Sequence, residues 1–272
     1  MPPSFDPTRP PVAPRLAASV ILVRPRQGDG AVEVFLLRRH RGASFMASSF
    51  VFPGGAADEG EEDPRLTAAR ELFEEAGVLL CAEPVEAARL RALRGQLRDG
   101  EPFGALLSAA GLRLDLEALT PFSHWITPSA EAKRFSARFF LALLPPGQVP
   151  RFDAVETVDE VWREPGEALE LASELRLPPP QLRTLRDLAQ VSRGGPAAAQ
   201  ALARARAAAI RPIVPRFLSD PEAPQGFSLL CPWDPEYASR GAGEGEPFPL
   251  DSPFAGGPSR FVLDERGVWL HR

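Results

Sequence analysis

Four residues in the run "RELFEEAGV" have the types and spacing to do chemistry: Arg70, Glu71, Glu74 and Glu75. They follow "FVFPGGAADEGEED", in which Gly54 and Gly55 stand side by side ahead of an acidic loop. At about 100° per helical residue the three glutamates share one arc, and Leu66, Ala69, Leu72, Phe73 and Ala76 share the opposite one. Like charges at i and i+4 repel by a few tenths of ~1 kcal/mol on a free helix, so Glu71 and Glu75 call for a cation between them. Hard divalent ions take oxygen ligands, and Mg²⁺ keeps one or two carboxylates, several waters and the phosphates of its substrate. Two glycines just upstream let backbone and phosphate approach closely, because no Cβ intervenes. The combination points to metal-assisted attack on a phosphoanhydride, with a nearby carboxylate taking the proton. The pentapeptide alone reads as a solvated helix face; its neighbours change that.

The elements that must position these groups are legible. "AASVILVRP" (17–25) and "AVEVFLLRR" (31–39) are β-rich runs around the turn "RQGDG", and "SFVFPGG" gives a third short strand stopped by Pro53. The carboxylate helix has clear ends: Asp63 to cap it, Pro64 for its first turn and Gly77 to close it. A charged helical pair over about 83–119 shows no chemistry. Strands resume at 122–128, 134–144 and 158–165, and helix follows to about 176. Strands and helices in this mixture predict one α/β domain over 15–178 after a disordered lead-in at 1–14. "LPPP" marks a seam, and 179–272 reads as an α+β extension: helices over 181–192 and 196–210, then short strands and a terminal hairpin.

With 272 residues, 44% hydrophobic and 25% charged, the chain is an ordinary globular composition. A net charge of −5 argues against a nucleic-acid backbone as partner. Two cysteines without a CxxC pair predict no disulfide framework and a reducing, cytoplasmic setting. No apolar run reaches the ~18 residues of a membrane span, and the proline-rich N-terminus lacks a secretion signal. The expected partner is a small molecule.

Gly55, five residues, Glu61, eight residues and "RELFEEAGV" together resemble the Nudix box, whose pattern is a glycine, five residues, a glutamate, seven residues and R-E-aliphatic-x-E-E-x-G-aliphatic. The chain carries one extra residue between Glu61 and Arg70, in the loop and helix start, so the family role of Glu61 passes to Glu61 or to Glu62. The resemblance implies an α/β/α sandwich with a mixed sheet, and Mg²⁺ or Mn²⁺ held by Glu71, Glu74 and Glu75 with a backbone carbonyl of Gly54 or Gly55. Arg70 would orient the glutamates. A further carboxylate is expected from a later segment, Glu160 first and Glu156 second.

Outside the box, "FLLRRHRGASFMASSFVFPGGAAD", "HWITP" with "RFSARFFLALLP", and "DEVWREPGEAL" resemble the peroxisomal coenzyme A diphosphatase subgroup and its bacterial relatives. The resemblance implies hydrolysis of coenzyme A or an acyl-CoA to 3′,5′-ADP and a phosphopantetheine. Arg39, Arg41 and Arg134 would meet the adenosine phosphates, and Phe45 and Met46 would line an apolar slot. The glycine–glutamine step of a sister subgroup's signature is missing, and so is a peroxisomal C-terminal tripeptide, which fits a bacterial cytoplasmic protein. ADP-ribose, NADH and diadenosine polyphosphates are the alternative substrates. A non-catalytic nucleotide sensor of the same fold is the reading from another class, although such modules tend to lose box glutamates kept here. The tail over 179–272 could be a lid, a homodimer surface or a specificity element.

Overall fold

The computed structural model describes residues 10–43 and 46–272. Its elements in chain order begin with β1 (Arg15–Pro25), β2 (Val32–Arg39), β3 (Phe50–Val51), β4 (Gly54–Ala56) and α1 (Pro64–Ala76). Next come α2 (Ala87–Arg98), α3 (Phe103–Ala110), β5 (Thr120–Ile126), β6 (Phe135–Leu143), β7 (Thr157–Arg163), α4 (Pro165–Glu170) and α5 (Ala172–Leu175). The last part holds α6 (Pro179–Ala189), α7 (Gly195–Ala207), β8 (Pro212–Ile213), β9 (Arg216–Ser219), β10 (Phe227–Leu230), β11 (Arg260–Leu263) and β12 (Trp269–His271).

An eight-stranded mixed sheet runs β3-β2-β1-β6-β5-β8, with β4 also on β1 and β7 also on β2. The expected hairpin of β1 and β2 is antiparallel, with Val23 opposite Val34. β6 lies parallel to β1 along its whole length, from Arg15 beside Phe135 to Val23 beside Leu143.

Alternation along β1 decides the layers, because successive side chains leave opposite faces of a strand. Ala18, Val20 and Leu22 meet Ala68, Ala69, Leu72 and Ala76 of α1. Ile21 and Val23 face the other way, into a core shared with Ala168 of α4, Leu182, Leu185 and Leu188 of α6, and Ala199 and Ala203 of α7. The result is a helix–sheet–helix sandwich with a second, four-stranded sheet, β12-β11-β10-β9, at its C-terminal side. The same core takes in Phe227, Phe261 and Trp269 of that sheet, and β8 pairs parallel to β5. Residues past 178 therefore complete the main sheet and its second face. The helical pair α2–α3 packs on the outer side of α1, through Phe73, Leu79, Leu90, Leu93, Leu107 and Leu112.

One buried charge network lies in the C-terminal half. The Asp187 carboxylate accepts hydrogen bonds from Arg183 at 3.2 Å and from Arg206 at 2.7 Å. Trp233 stacks over the first guanidinium at 4.5 Å and Phe254 over the second at 5.6 Å. Every charge there has an opposite partner. Both cysteines are free, and no helix among the described residues is long and apolar enough to cross a membrane.

Candidate active site

α1 starts and stops where its sequence dictates. The Asp63 side chain accepts from the Arg65 amide, Pro64 occupies the first turn, and Gly77 closes the helix at φ 69° with its N–H on the Phe73 carbonyl at 2.9 Å. From the helical pair, Arg94 adds two hydrogen bonds to the Glu74 carbonyl, at 2.9 and 2.7 Å, clamping the C-terminal turn. Nothing in the residue pattern of 83–119 singled this arginine out.

Opposite α1 lies β4, antiparallel to Ala17–Ser19 of β1. Gly54 is required by space, and Gly55 leaves the Glu71 carboxylate its place. A Cβ on Gly54, at φ 156°, would fall 2.4 Å from the Ala18 carbonyl oxygen, and one on Gly55 would fall 2.5 Å from the Glu71 carboxylate. The Gly54 N–H donates to Glu75 Oε2 at 2.9 Å. Glu75 is thus pulled under β4 and only 3% exposed, although the helix projection sets it on the polar arc opposite the apolar one. The helix arc was right; the strand lying over that arc was not visible in it.

Arg70, 6% exposed, is the hub. It donates to Glu61 at 2.8 and 3.0 Å, to Glu71 at 2.9 Å, to Glu74 at 3.3 Å and to the Ala56 carbonyl at 2.9 Å. Glu61 also accepts from the Thr67 hydroxyl and the Asp58 amide. Burial works against its charge, but these donors hold Glu61 below the usual carboxylate range. Glu61, rather than exposed Glu62, is the residue joined to Arg70; its oxygens are occupied in orienting it.

The other three glutamates behave oppositely. Burial pushes Glu75 up to about 8, helped by the Glu71 charge and opposed by the Gly54 N–H. Burial pushes Glu71 up to about 7 against the pull of Arg70, and it raises Glu74 as well. Glu156 adds repulsion to all three. Arg70 alone does not balance this much negative charge, and a divalent cation would favour the ionised forms. Among the described residues no group of three or more acidic, histidine or cysteine side chains is arranged to hold a metal ion. The donor set instead suits a water-rich ion: carboxylate oxygens on one side and open cleft on the other.

That cleft has a volume of about 710 Å³ and two chemically distinct sets of lining residues. One comprises Gly54, Gly55, Asp58, Arg70, Glu71, Glu74 and Glu156, together with Arg39. The other is apolar, with Met46, Phe52, Trp125 and Phe139 of the sandwich and Pro179, Leu229 and Trp269 of the C-terminal region. Glu131 sits on the cleft wall, raised by burial to about 7. Asp58, three residues before Glu61, was missed although it belongs to the same acidic loop. The far wall, drawn from residues over a hundred positions downstream, left no signal near the box.

The remaining expectations divide. Glu160 is tied to Arg151 at 2.6 Å and to the Phe152 amide at 2.6 Å, away from the cleft, whereas Glu156 lines it. Arg134 lines the cleft and is 3% exposed, donating to the Thr127 and Val12 carbonyls and, at 2.6 Å, to Glu244. These bonds tie the C-terminal loop and the chain start to β6. Arg41 lies outside the cleft, in a smaller neighbouring pocket. Phe45 falls outside the described residues. His124, lowered by burial to about 4, is hydrogen-bonded through Nε2 to the Ser136 hydroxyl at 2.8 Å.

The family described as the NUDT19 Nudix domain matches residues 60–188. The Caenorhabditis elegans protein named nudix hydrolase 7 is 30% identical over 188 residues, covering 65% of this chain and 61% of its own length. The human acyl-coenzyme A diphosphatase NUDT19 is 36% identical over 148 residues, covering 46% of this chain and 38% of its own length. The chain therefore spans less than two thirds of these relatives. Among solved structures, a Nudix hydrolase from Alicyclobacillus acidocaldarius superposes with a TM-score of 0.58 at 27% identity, over 66% of this chain and 92% of that one.

Proposed function

Given that this chain belongs to the Nudix hydrolase superfamily, we propose that it is a divalent-metal-dependent diphosphatase of nucleoside diphosphate derivatives, with coenzyme A or an acyl-CoA as substrate and 3′,5′-ADP and an (acyl)phosphopantetheine as products. One observation carries the substrate reading: a single cleft is lined both by carboxylates and by apolar side chains. A diphosphate with an apolar arm has the same two-part character, and the human acyl-coenzyme A diphosphatase NUDT19 is 36% identical over 148 residues.

In this reading Glu71, Glu74 and Glu75 hold Mg²⁺ or Mn²⁺, with the Gly55 carbonyl as a further oxygen. The ion, when bound, supplies charge neutralisation on the phosphate oxygens and acidifies water. The chain's own residues do the rest. Arg70, fixed by Glu61, holds Glu71 and Glu74 in register. The glycines let β4 lie close against Ala18 and the Glu71 carboxylate, which brings the Gly54 N–H onto Glu75. Glu156, on the cleft wall beside them, accepts the proton of the attacking water. Residues 15–178 are the catalytic body, and 179–272 build the wall against which the apolar arm lies.

The test is product analysis by HPLC with millimolar Mg²⁺ over coenzyme A, acetyl-CoA, NADH, ADP-ribose and a diadenosine polyphosphate, with Glu75→Gln as the blank. Release of 3′,5′-ADP from the coenzyme A compounds is the expected result. Cleavage confined to another member would keep the diphosphatase and discard coenzyme A. Nucleotide binding without any cleavage would replace the enzyme with a sensor.

A further inference from the structure

We propose that Trp125 and Gln181 are specificity-determining residues, whose indole N–H and side-chain carbonyl take the two sides of a secondary amide in the arm of the substrate. The proposal rests on the diphosphatase reading above and narrows the kind of arm that such a substrate carries.

Both residues line the cleft, and they reach it from different layers. Trp125 lies on β5, paired with Ala137 of β6 and Ile213 of β8. It shares a core with Leu182, Leu185 and Leu188, through which α6 packs on that face of the sheet. Gln181 stands in the first turn of α6, behind Pro179. A ligand in the cleft thus meets a donor from the sheet and an acceptor from the helix above it.

Neither group has a partner in the protein. Trp125 is 4% exposed and Gln181 6%, and the Trp125 Nε1 and the Gln181 Oε1 are sealed from water without a hydrogen bond. The same side chains elsewhere are satisfied. Trp233 Nε1 donates to the Pro258 carbonyl at 3.2 Å, and Gln148 joins the Leu79 amide and carbonyl at 2.9 and 2.8 Å. Buried polar groups are nearly always hydrogen-bonded, so two orphans on the wall of one cleft call for a ligand. Glu131, between β5 and β6, adds a third polar group to the same wall. Burial alone raises its carboxyl to about 7, with no hydrogen bond or neighbouring charge contributing.

The chemistry of the missing partner follows from the two orphans. The indole nitrogen only donates, and the carbonyl oxygen of glutamine only accepts. A trans secondary amide is planar and presents its N–H and C=O on opposite edges. It brings one donor and one acceptor and nothing in excess, and the carbons on either side of it suit Phe52, Phe139, Leu229 and Trp269. A hydrocarbon arm would leave both protein groups unpaired. A sugar arm would bring more hydroxyls than these apolar walls can satisfy. Sites built to hydrogen-bond a substrate reject analogues lacking that group, because their own buried polar atoms are then stranded.

The test uses three synthetic esters of the ADP β-phosphate with arms of equal length: one with an internal secondary amide, one a plain hydrocarbon, one ending in a primary amine. Affinities are measured by calorimetry without divalent metal, and kcat and KM with Mg²⁺. Wild type, Gln181→Leu and Trp125→Phe are compared, each with its melting temperature. Wild type should prefer the amide arm over the hydrocarbon by about tenfold or more, in affinity and in KM. In Gln181→Leu the ratio should fall towards one while the melting temperature holds or rises, because no internal hydrogen bond is lost. Trp125→Phe should lower the ratio likewise, and Gln181→Leu decides the matter where the tryptophan variant does not fold. A wild-type ratio near one, or a ratio unmoved in Gln181→Leu, overturns the proposal. So does a melting temperature several degrees lower in Gln181→Leu, which would give the glutamine a structural task. Tightest binding of the amine arm also overturns it, in favour of a cation at Glu131. The two readings fail separately. Cleavage of all three esters with equal affinities would sink the amide selection and leave the diphosphatase standing. An amide preference in metal-free binding, lost in Gln181→Leu, with no ester cleaved, would do the opposite.

Discussion

Two buried groups of charged residues in this molecule have opposite balance. Around Asp187, one carboxylate meets two guanidinium groups, each covered by an aromatic ring. Around Glu75, carboxylates crowd together with too few cations, and burial raises Glu71 to about 7 and Glu75 to about 8. In a cluster whose charges are paired, removing one partner is costly, because it leaves an uncompensated buried charge. An unmatched one costs stability, and the cost marks a place where a ligand completes the set.

Substitution should separate the two most sharply. Glu75→Gln is expected to lower turnover by about 10²–10⁴ while the melting temperature holds or rises, because a repelled buried charge is removed. A clear loss of stability there would break the contrast. Asp187→Asn should do the reverse: about 3–5 kcal/mol of unfolding free energy lost, read by denaturant melts, with turnover per folded molecule unchanged.

Acidity sharpens the comparison further. The folded-state pKa values of Glu71 and Glu75 lie above the ordinary carboxyl value of 4.5. Their contribution to stability is therefore full below that value and is lost as the pH climbs through 7 and 8. Metal-free protein should melt several degrees lower at pH 8.5 than at pH 5.5, and millimolar Mg²⁺ should recover most of the difference. A flat profile would mean that the glutamates are already compensated. The smallest expected contrast lies between two neighbouring acids. Glu156→Gln should lower turnover by about tenfold or more. Glu160→Gln, whose partner Arg151 is largely exposed, should cost ~1 kcal/mol or less of stability and leave kcat close to wild type.

What the sequence revealed follows the range over which each feature is determined. The ends of α1 were legible because Asp63, Pro64 and Gly77 act on backbone groups a few residues away. The hairpin of β1 and β2 and the grouping of Arg70 with the glutamates were local in the same way. The burial of Glu75 was not, since a helix projection says nothing about the strand that crosses it. The choice of Glu160 over Glu156 failed on register: the pairing of β2 with β7 shifts between Arg38 and Arg39, and the strand begins after Glu156. The Glu244 partner of the cleft-lining Arg134 lies far along the chain and left no local signal.

The two-residue strand β8 has a consequence out of proportion to its length. By lying along His124 and Trp125 it covers the otherwise unpaired side of β5. β1 must likewise wait for β6 before its own flank is closed. A nascent chain emerging from the ribosome thus holds open hydrogen-bonding edges until nearly four-fifths of it has been made, and open edges invite pairing with other chains. Truncation at the "LPPP" seam would make that transient hazard permanent. The tail is then a built-in guard against self-association as well as a wall of the cleft, and the shortened protein should be recovered mainly as aggregate.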